Sequence, residues 1–122
     1  MNYTKKLAVV DDEVDFCTLV QKYCDQAGIE CRFASDLVSG LQLLSEFHPD
    51  ILILDNNLPD GFGWKELPQL QERFPELIIH LITAKYMVEP YPGNDVPGNT
   101  NTHVFYHAKP LSVPGLQEIV AI

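Results

Sequence analysis

A run of four apolar residues, Ile-Leu-Ile-Leu at 51–54, constrains the fold of this chain more than any other stretch. Pro49 precedes the run, and the turn-forming residues 56–61 follow it. An apolar run of this length between turn signals is typical of a strand buried on both faces, as in parallel sheets. Asp55 comes directly after the run, where open α/β sheets bind their ligands. Asp55 is therefore the first candidate for a functional residue.

The rest of the chain alternates between short apolar runs and apolar residues at helical spacing. The apolar runs predict four further strands, at residues 6–10, 30–34, 77–82 and 103–108. Apolar stripes predict helices at residues 14–27, 37–47, 64–74 and 112–122. Gly28 is expected to end the first helix, and Ser35 or Asp36 to cap the second. Because strands and helices alternate, the sheet should be parallel and covered by helices on both faces.

Pro68 lies inside the third predicted helix, so this helix should either start late or be kinked near Trp64. Residues 85–102 contain three prolines and two glycines after residue 89, a pattern that predicts an irregular loop instead of a further helix. Such a long structureless loop is unusual in a small domain. A loop of this kind is often functional or mobile.

Right-handed crossovers place the carboxyl ends of all parallel strands at one edge of the sheet. Five polar or charged residues should meet at that edge. They are Asp11, Asp12, Asp55, Thr83 and Lys109. Three neighbouring carboxylates repel one another and need a cation, and hard oxygen ligands without His or Cys suit Mg²⁺. A second oxygen of Asp55 would remain free to accept a phosphoryl group, whose charge Lys109 and Thr83 could neutralise.

Four segments in this order resemble the receiver domain of two-component response regulators. They are VVDDE at 9–13, LILDNNLPDGFG at 52–63, LITA at 81–84 and YHAKP at 106–110. The resemblance implies a flavodoxin-like, five-stranded parallel sheet with the strand order 2-1-3-4-5. It also implies that Asp55 is the phosphoacceptor. Asp12 would bind Mg²⁺ directly, Asp11 through water, and Asn57 through its main-chain carbonyl.

The resemblance also assigns roles to Lys109, Thr83 and Tyr106. Lys109 would pair with the phosphoryl group, and the Lys109–Pro110 peptide bond would be cis. Thr83 would turn towards the phosphoryl group, and Tyr106 would switch between outward and inward rotamers. The alternative for Tyr106, to which we give equal weight, is that it is only a half-buried aromatic residue of the sheet. The phosphodonor would be a histidine kinase or a phosphotransfer protein. Signal would pass to an output domain or effector, with a phosphorylation-dependent dimer left open.

One departure from the family concerns its fourth helix, because a loop is expected at residues 85–102 in its place. We expect this loop to be mobile and to become ordered on phosphorylation or partner binding. A degenerate receiver, acting as an interaction or dimerisation module without phosphorylation, is therefore the second hypothesis. A phosphatase with an aspartyl nucleophile is the third, but Asp55 lacks the DxDx[TV] pattern of such enzymes. Under the first hypothesis the domain is not an enzyme with a separate substrate, since it catalyses only its own phosphorylation and dephosphorylation.

Composition limits the other function classes. The chain of 122 residues is 46% hydrophobic and carries a net charge of −9, which suits one globular domain. No cluster of basic residues suggests nucleic-acid binding, and no apolar run approaches the roughly 20 residues of a membrane span. Three cysteines at wide spacing are interpreted as reduced thiols in a cytoplasmic protein, and the four histidines as surface or strand residues. The whole chain, 1–122, is interpreted as one receiver domain, either stand-alone or the N-terminal module of a longer protein.

Overall fold

The computed structural model describes residues 5–84 and 103–121. Within them, seven strands and four α-helices follow one another along the chain. The strands are β1 (Lys5–Val10), β2 (Ile29–Ala34), β3 (Ile51–Asp55), β4 (Asn57–Leu58), β5 (Gly61–Phe62), β6 (Ile78–Ala84) and β7 (Val104–Lys109). The helices are α1 (Val14–Ala27), α2 (Leu37–Phe47), α3 (Leu67–Arg73) and α4 (Val113–Ala121).

Five strands form one parallel sheet with the order β2-β1-β3-β6-β7, which confirms the expected flavodoxin-like order. β3 lies at the centre, paired with β1 on one side and β6 on the other. All five of its residues are buried. The apolar run at 51–54 therefore forms the doubly covered strand that the sequence predicts, and Asp55 is its last residue.

The sheet separates two hydrophobic cores, and alternate residues of β3 face each of them. Leu52 and Leu54 pack with α2 and α3, whereas Ile51 and Ile53 pack with α1 and α4. The larger buried side chains of the first core come mainly from leucines and those of the second from isoleucine, valine and cysteine. Because both faces are covered, the site residues at the ends of the strands stand on a rigid base.

Local sequence signals account for the ends of the first two helices. Gly28 ends α1 with a left-handed φ of 73°, a conformation that glycine adopts without steric cost. The Asp36 carboxylate caps α2 by accepting a hydrogen bond of 2.7 Å from the Ser39 N–H. A second carboxylate, from Asp60, accepts hydrogen bonds from the N–H groups of Leu37 and Val38 at 2.8 and 3.0 Å. The loop that follows β3 is thereby attached to the start of α2.

The third helix starts late, which is one of the two arrangements that Pro68 allows. A 3-10 turn at Gly63–Glu66 precedes α3, and Pro68 lies in the first turn of the helix. Proline is tolerated there because its missing N–H would have no helical partner. The predicted loop at 56–61 holds a short antiparallel ladder of β4 and β5. The predicted loop at 85–102, and with it the expected loss of a fourth helix, lies outside the described residues.

Two histidines that are far apart in sequence form a pair within the sheet. His80 on β6 and His107 on β7 approach to 2.9 Å between Nδ1 and Nε2, and the His80 ring stacks on Phe105. Only 3% of His80 is exposed. Burial, with a smaller contribution from His107, lowers the pKa of His80 to about 4. Both residues lie on strands, as expected, and His80 is neutral at neutral pH.

The cysteine prediction also holds for the described residues. Cys17, Cys24 and Cys31 are free thiols, the first two buried and the third half-buried. The Cys17 thiol donates a 3.5 Å hydrogen bond to the carbonyl of Asp11, and burial raises its pKa to about 11. No helix in the described ranges is both long enough and apolar enough to cross a bilayer.

Candidate functional site

Three carboxylates meet at the carboxyl edge of the sheet. Asp11 and Asp12 follow β1, and Asp55 ends β3, the strand that pairs directly with β1. One carboxylate oxygen from each lies within 4.8 Å of the other two. Asp11 and Asp55 are buried, whereas Asp12 is exposed. The convergence predicted from the strand order is confirmed for all three acids.

Lys109, the last residue of β7, reaches over the end of β6 to these carboxylates. Its Nζ lies 3.3 Å from Oδ1 of Asp55 and 3.6 Å from Oδ2 of Asp11. Its shortest ion pair, at 2.7 Å, is with Oε1 of Glu13. Sequence reasoning missed Glu13, although it is the third acid in a row where β1 gives way to α1. The Lys109–Pro110 peptide bond is cis, as the resemblance implies.

Burial and mutual repulsion disfavour the charged form of the two buried acids. Burial, together with the charge of Asp11, raises the pKa of Asp55 to about 6, against the opposing attraction of Lys109. Burial also raises the pKa of Asp11, although the carboxylate accepts a hydrogen bond from the Glu13 N–H. Burial by itself would lower the pKa of Lys109, but the bond to Glu13 and the charges of Asp55 and Asp11 raise it. Lys109 therefore stays protonated, whereas ionising the carboxyl groups of Asp55 and Asp11 costs free energy.

The segment after Asp55 is fixed by Asn56, which is fully buried and was not singled out from the sequence. Its N–H donates to the carbonyl of Ile82 at 2.8 Å, and its own carbonyl accepts from the Gly63 N–H at 2.9 Å. Its side-chain Oδ1 accepts from the Trp64 N–H at 3.0 Å. These bonds join the segment to β6 and to the turn before α3, so the position of Asp55 is set on two sides.

Gly63 allows this close packing. A Cβ atom at this position would lie 2.8 Å from the carbonyl oxygen of Asp55 and 3.0 Å from Cγ of Leu54. Both neighbours belong to the buried central strand, so neither can move freely. Asn57, the predicted source of a main-chain ligand, begins β4 and donates its N–H to Oδ1 of Asp55 at 3.4 Å. The turn therefore approaches Asp55 through backbone groups.

The two predicted switch residues lie on neighbouring strands. Thr83 is buried on β6, one residue beyond Ile82, the register partner of Asp55. Tyr106 lies on the edge strand β7, opposite Leu81, with 36% of its surface exposed. Burial of its inner part raises its pKa. Thr83 thus belongs to the same edge as Asp55, whereas Tyr106 lies three residues before Lys109 on the face shared with the first core.

The donor set fits a hard divalent cation. Its three carboxylates supply oxygen ligands only, which Mg²⁺ prefers. Oδ2 of Asp11 is buried and accepts no hydrogen bond from the part of the chain that the structure describes. A bound cation would satisfy this oxygen through a water ligand, and it would relieve the repulsion that, together with burial, raises the pKa of Asp55. The residues therefore fit the Mg²⁺ site that the sequence predicts.

The comparisons with known proteins agree with this architecture. The family model described as the response regulator receiver domain matches residues 7–91. The chain belongs to this family. This receiver domain is 35% identical over 81 residues to the alkaline phosphatase synthesis transcriptional regulatory protein PhoP of Bacillus subtilis, a match covering 66% of the chain and 34% of PhoP. It is 32% identical over 105 residues to TcrX, a probable transcriptional regulatory protein of Mycobacterium tuberculosis, covering 86% of the chain and 43% of TcrX.

Solved structures show the same fold. The chemotaxis response regulator CheY4 of Vibrio cholerae superposes with a TM-score of 0.78 at 20% identity, covering 96% of each chain. A receiver domain protein of Clostridium thermocellum superposes with a TM-score of 0.77 at 20% identity, covering 96% of this chain and 91% of that one. The receiver domain described here spans about a third of PhoP and less than half of TcrX. It matches only part of each of these two regulators.

Proposed function

We propose that this receiver domain accepts a phosphoryl group on Asp55 from a phosphohistidine of a sensor histidine kinase or phosphotransfer protein. The observation that carries the proposal is the position of the Asp55 carboxylate, 3.3 Å from the Lys109 ammonium and inside a cluster of three acids. Asp55 is buried but lies at the edge of the sheet where ligands bind in α/β folds. The strand, the turn after it and Lys109 therefore present one carboxylate in a fixed orientation.

In the proposed reaction, a carboxylate oxygen of Asp55 attacks the phosphorus atom of the donor. A P–O bond forms, the P–N bond breaks, and the donor histidine leaves as a neutral imidazole after taking up a proton. The Lys109 ammonium would shift towards the new phosphoryl oxygens, and the Thr83 hydroxyl would donate to one of them. Lys109 would offset the negative charge of the phosphoryl oxygens, and Thr83 would stabilise it with a hydrogen bond.

Asp11, Asp12 and Asp55, with the main-chain carbonyl of Asn57, would hold Mg²⁺. When bound, the cation supplies positive charge that offsets the phosphoryl oxygens and the repulsion between the acids. In this proposal Asp12, the exposed member, would bind the cation directly, and the buried Asp11 would bind it through water. Offsetting the negative charge of this cluster would lower the pKa of Asp55, which is about 6 without the cation. The ionised, nucleophilic form of Asp55 would thereby be favoured.

Phosphorylation would switch the surface that contacts an output domain or effector protein. Thr83 would turn towards the phosphoryl group and Tyr106 would turn inward, which links Asp55 to the edge strand β7. The relatives named above are transcriptional regulators that are longer than this chain, which supports an output partner of that class. We place the domain in the cytoplasm, as a phosphoprotein without a separate substrate, and a phosphorylation-dependent dimer is part of the same proposal.

The test is the intact mass of the domain after incubation with acetyl phosphate, with and without Mg²⁺. We expect the mass of one phosphoryl group to be added only with Mg²⁺, and the adduct to be absent in Asp55→Asn. Asp60→Asn is the matched control, because Asp60 lies in the same loop and caps α2, and it should keep the adduct. A folded protein that neither forms the adduct nor binds Mg²⁺ would instead be a degenerate receiver that acts as an interaction module.

A further inference from the structure

Glu13 makes the shortest ion pair of the site, yet it has no part in the proposed phosphoryl transfer or metal binding. It occupies the N-cap position of α1, yet its side chain makes no capping hydrogen bond. The side chain instead reaches Lys109, with 2.7 Å between Oε1 and Nζ. A capping role thus gives no account of this carboxylate.

The backbone of Glu13 is anchored to the acid cluster. Its N–H donates a 2.9 Å hydrogen bond to Oδ1 of Asp11, which fixes the start of the side chain beside the site. The Glu13 side chain is 61% exposed, whereas the Lys109 side chain is only 24% exposed. Glu13 therefore approaches Lys109 from the solvent side, the direction from which a phosphodonor must come.

Lys109 has two sets of partners. Its Nζ lies 0.6 Å nearer to Glu13 than to Asp55, at 2.7 against 3.3 Å. A phosphoryl group on Asp55 would bring further oxygens, each of which needs a donor or a cation. An ammonium has three N–H donors, and a carboxylate that keeps one of them turned to solvent withdraws it from the phosphoryl group.

We propose that Glu13 is a positioning residue that holds the Lys109 ammonium on the solvent side and competes with the phosphoryl group for it. The inference rests on the proposed function, since it concerns the group that Asp55 would carry. In the unphosphorylated domain the ion pair keeps Lys109 at the site. On phosphorylation it must loosen, so Glu13 lowers the affinity of the site for a phosphoryl group.

The size of the effect follows from the exposure of the pair. Exposed ion pairs of this kind typically alter an equilibrium roughly two- to fivefold. Removing the Glu13 carboxylate should therefore tighten the binding of a phosphoryl mimic by roughly two- to fivefold. Beryllofluoride is a suitable mimic, because it activates a receiver domain of NtrC4 that shares this fold with a TM-score of 0.77.

The experiment is a titration of the folded domain with beryllofluoride at saturating Mg²⁺, followed by fluorine NMR. Glu13→Gln removes the charge while keeping the length of the side chain, and it should bind more tightly than the wild-type domain. Glu30→Gln is the matched control, because Glu30 is an acid of the same type that pairs with Arg32 at 3.3 Å, away from the site. It changes the net charge equally and should leave the affinity as it is.

Glu13→Asp separates the contact from the charge. It keeps the negative charge but shortens the side chain by one methylene, which withdraws the carboxylate from Lys109, and it should also tighten binding. Unchanged affinity in both Glu13 variants, or a gain in Glu13→Gln alone, would overturn the inference. If the wild-type domain does not bind beryllofluoride at all, the proposed function fails. If it binds and the Glu13 variants match it, only the role of Glu13 is refuted.

Discussion

Replacing Asp55 with asparagine should stabilise the folded domain at neutral pH. The pKa of Asp55 rises from 3.8 to about 6 on folding, mainly because the carboxylate is buried and lies beside Asp11. A shift of about 2 units corresponds to about 3 kcal/mol of unfavourable free energy for keeping the group ionised. Asparagine has nearly the same shape without the charge. Because the amide also needs hydrogen-bond partners, we expect a net gain of about 1–3 kcal/mol in the free energy of unfolding.

The stability gained in Asp55→Asn should depend on pH in one direction. The folded-state pKa lies above the unfolded value, so the folded wild-type domain binds the extra proton between pH 4 and pH 6. The penalty is therefore complete above about pH 6 and disappears as the pH falls towards about 4, where Asp55 is protonated in both states. The difference between Asp55→Asn and the wild type should shrink over the same window. Groups that do not interact with Asp55, such as His80, titrate alike in both proteins and cancel in the comparison.

Urea unfolding followed by circular dichroism, at several pH values and with a chelator of divalent cations, measures this difference. Asp25→Asn is the control, because Asp25 is an exposed acid on α1 whose carboxylate accepts a hydrogen bond only from Gln21 among the described residues. It should change the stability by less than about 0.5 kcal/mol. Equal or lower stability of Asp55→Asn at pH 7, or a difference that does not change with pH, would refute the argument that Asp55 is held ionised at a cost.

Three further substitutions test the framework around the site. His80→Leu should remove an acid-sensitive group. The pKa of His80 is about 4 in the folded protein against 6.5 in the unfolded chain, so the wild type loses about 3 kcal/mol of stability as the pH falls from 7 towards 4. In urea unfolding at acid pH, the variant should therefore lose less stability than the wild type. Gly63→Ala should lower stability by about 1–3 kcal/mol and weaken Mg²⁺ binding in calorimetry, because its Cβ meets the Asp55 carbonyl. Asp36→Ala should cost about 1 kcal/mol in urea unfolding through loss of the α2 cap, without changing Mg²⁺ affinity.

The sequence was most informative where one residue type has one structural use. The run at 51–54 could be assigned to a buried central strand because such an apolar segment has few other places in an α/β fold. Gly28 and Asp36 marked helix ends because left-handed backbone and exposed N–H groups favour these residues. Pro68 left two arrangements of α3 open, since its position within a helix depends on where the preceding turn packs.

Residues whose role comes from distant contacts were harder to find. The sequence assigned no role to Glu13, because its contact with Lys109 spans 96 positions in the chain. Asn56 looked like a turn residue, but its backbone and side chain bind β6 and the segment before α3. His80 and His107 lack the spacing of a local motif because they meet across two strands. No periodicity within one element reports contacts of this kind.

The sequence by itself determined the order of strands and helices, the central position of β3 and the acids that end β1 and β3. These follow from local preferences and from the burial of apolar residues, which act over short stretches of chain. Only the tertiary structure decided which partner each charged group has. The ion pairs of Lys109 with Glu13 and Asp11 and the burial that raises the pKa of Asp55 depend on distances of a few ångströms between separate elements. Electrostatic energies change steeply over such distances, so this chemistry is fixed only when the sheet is assembled.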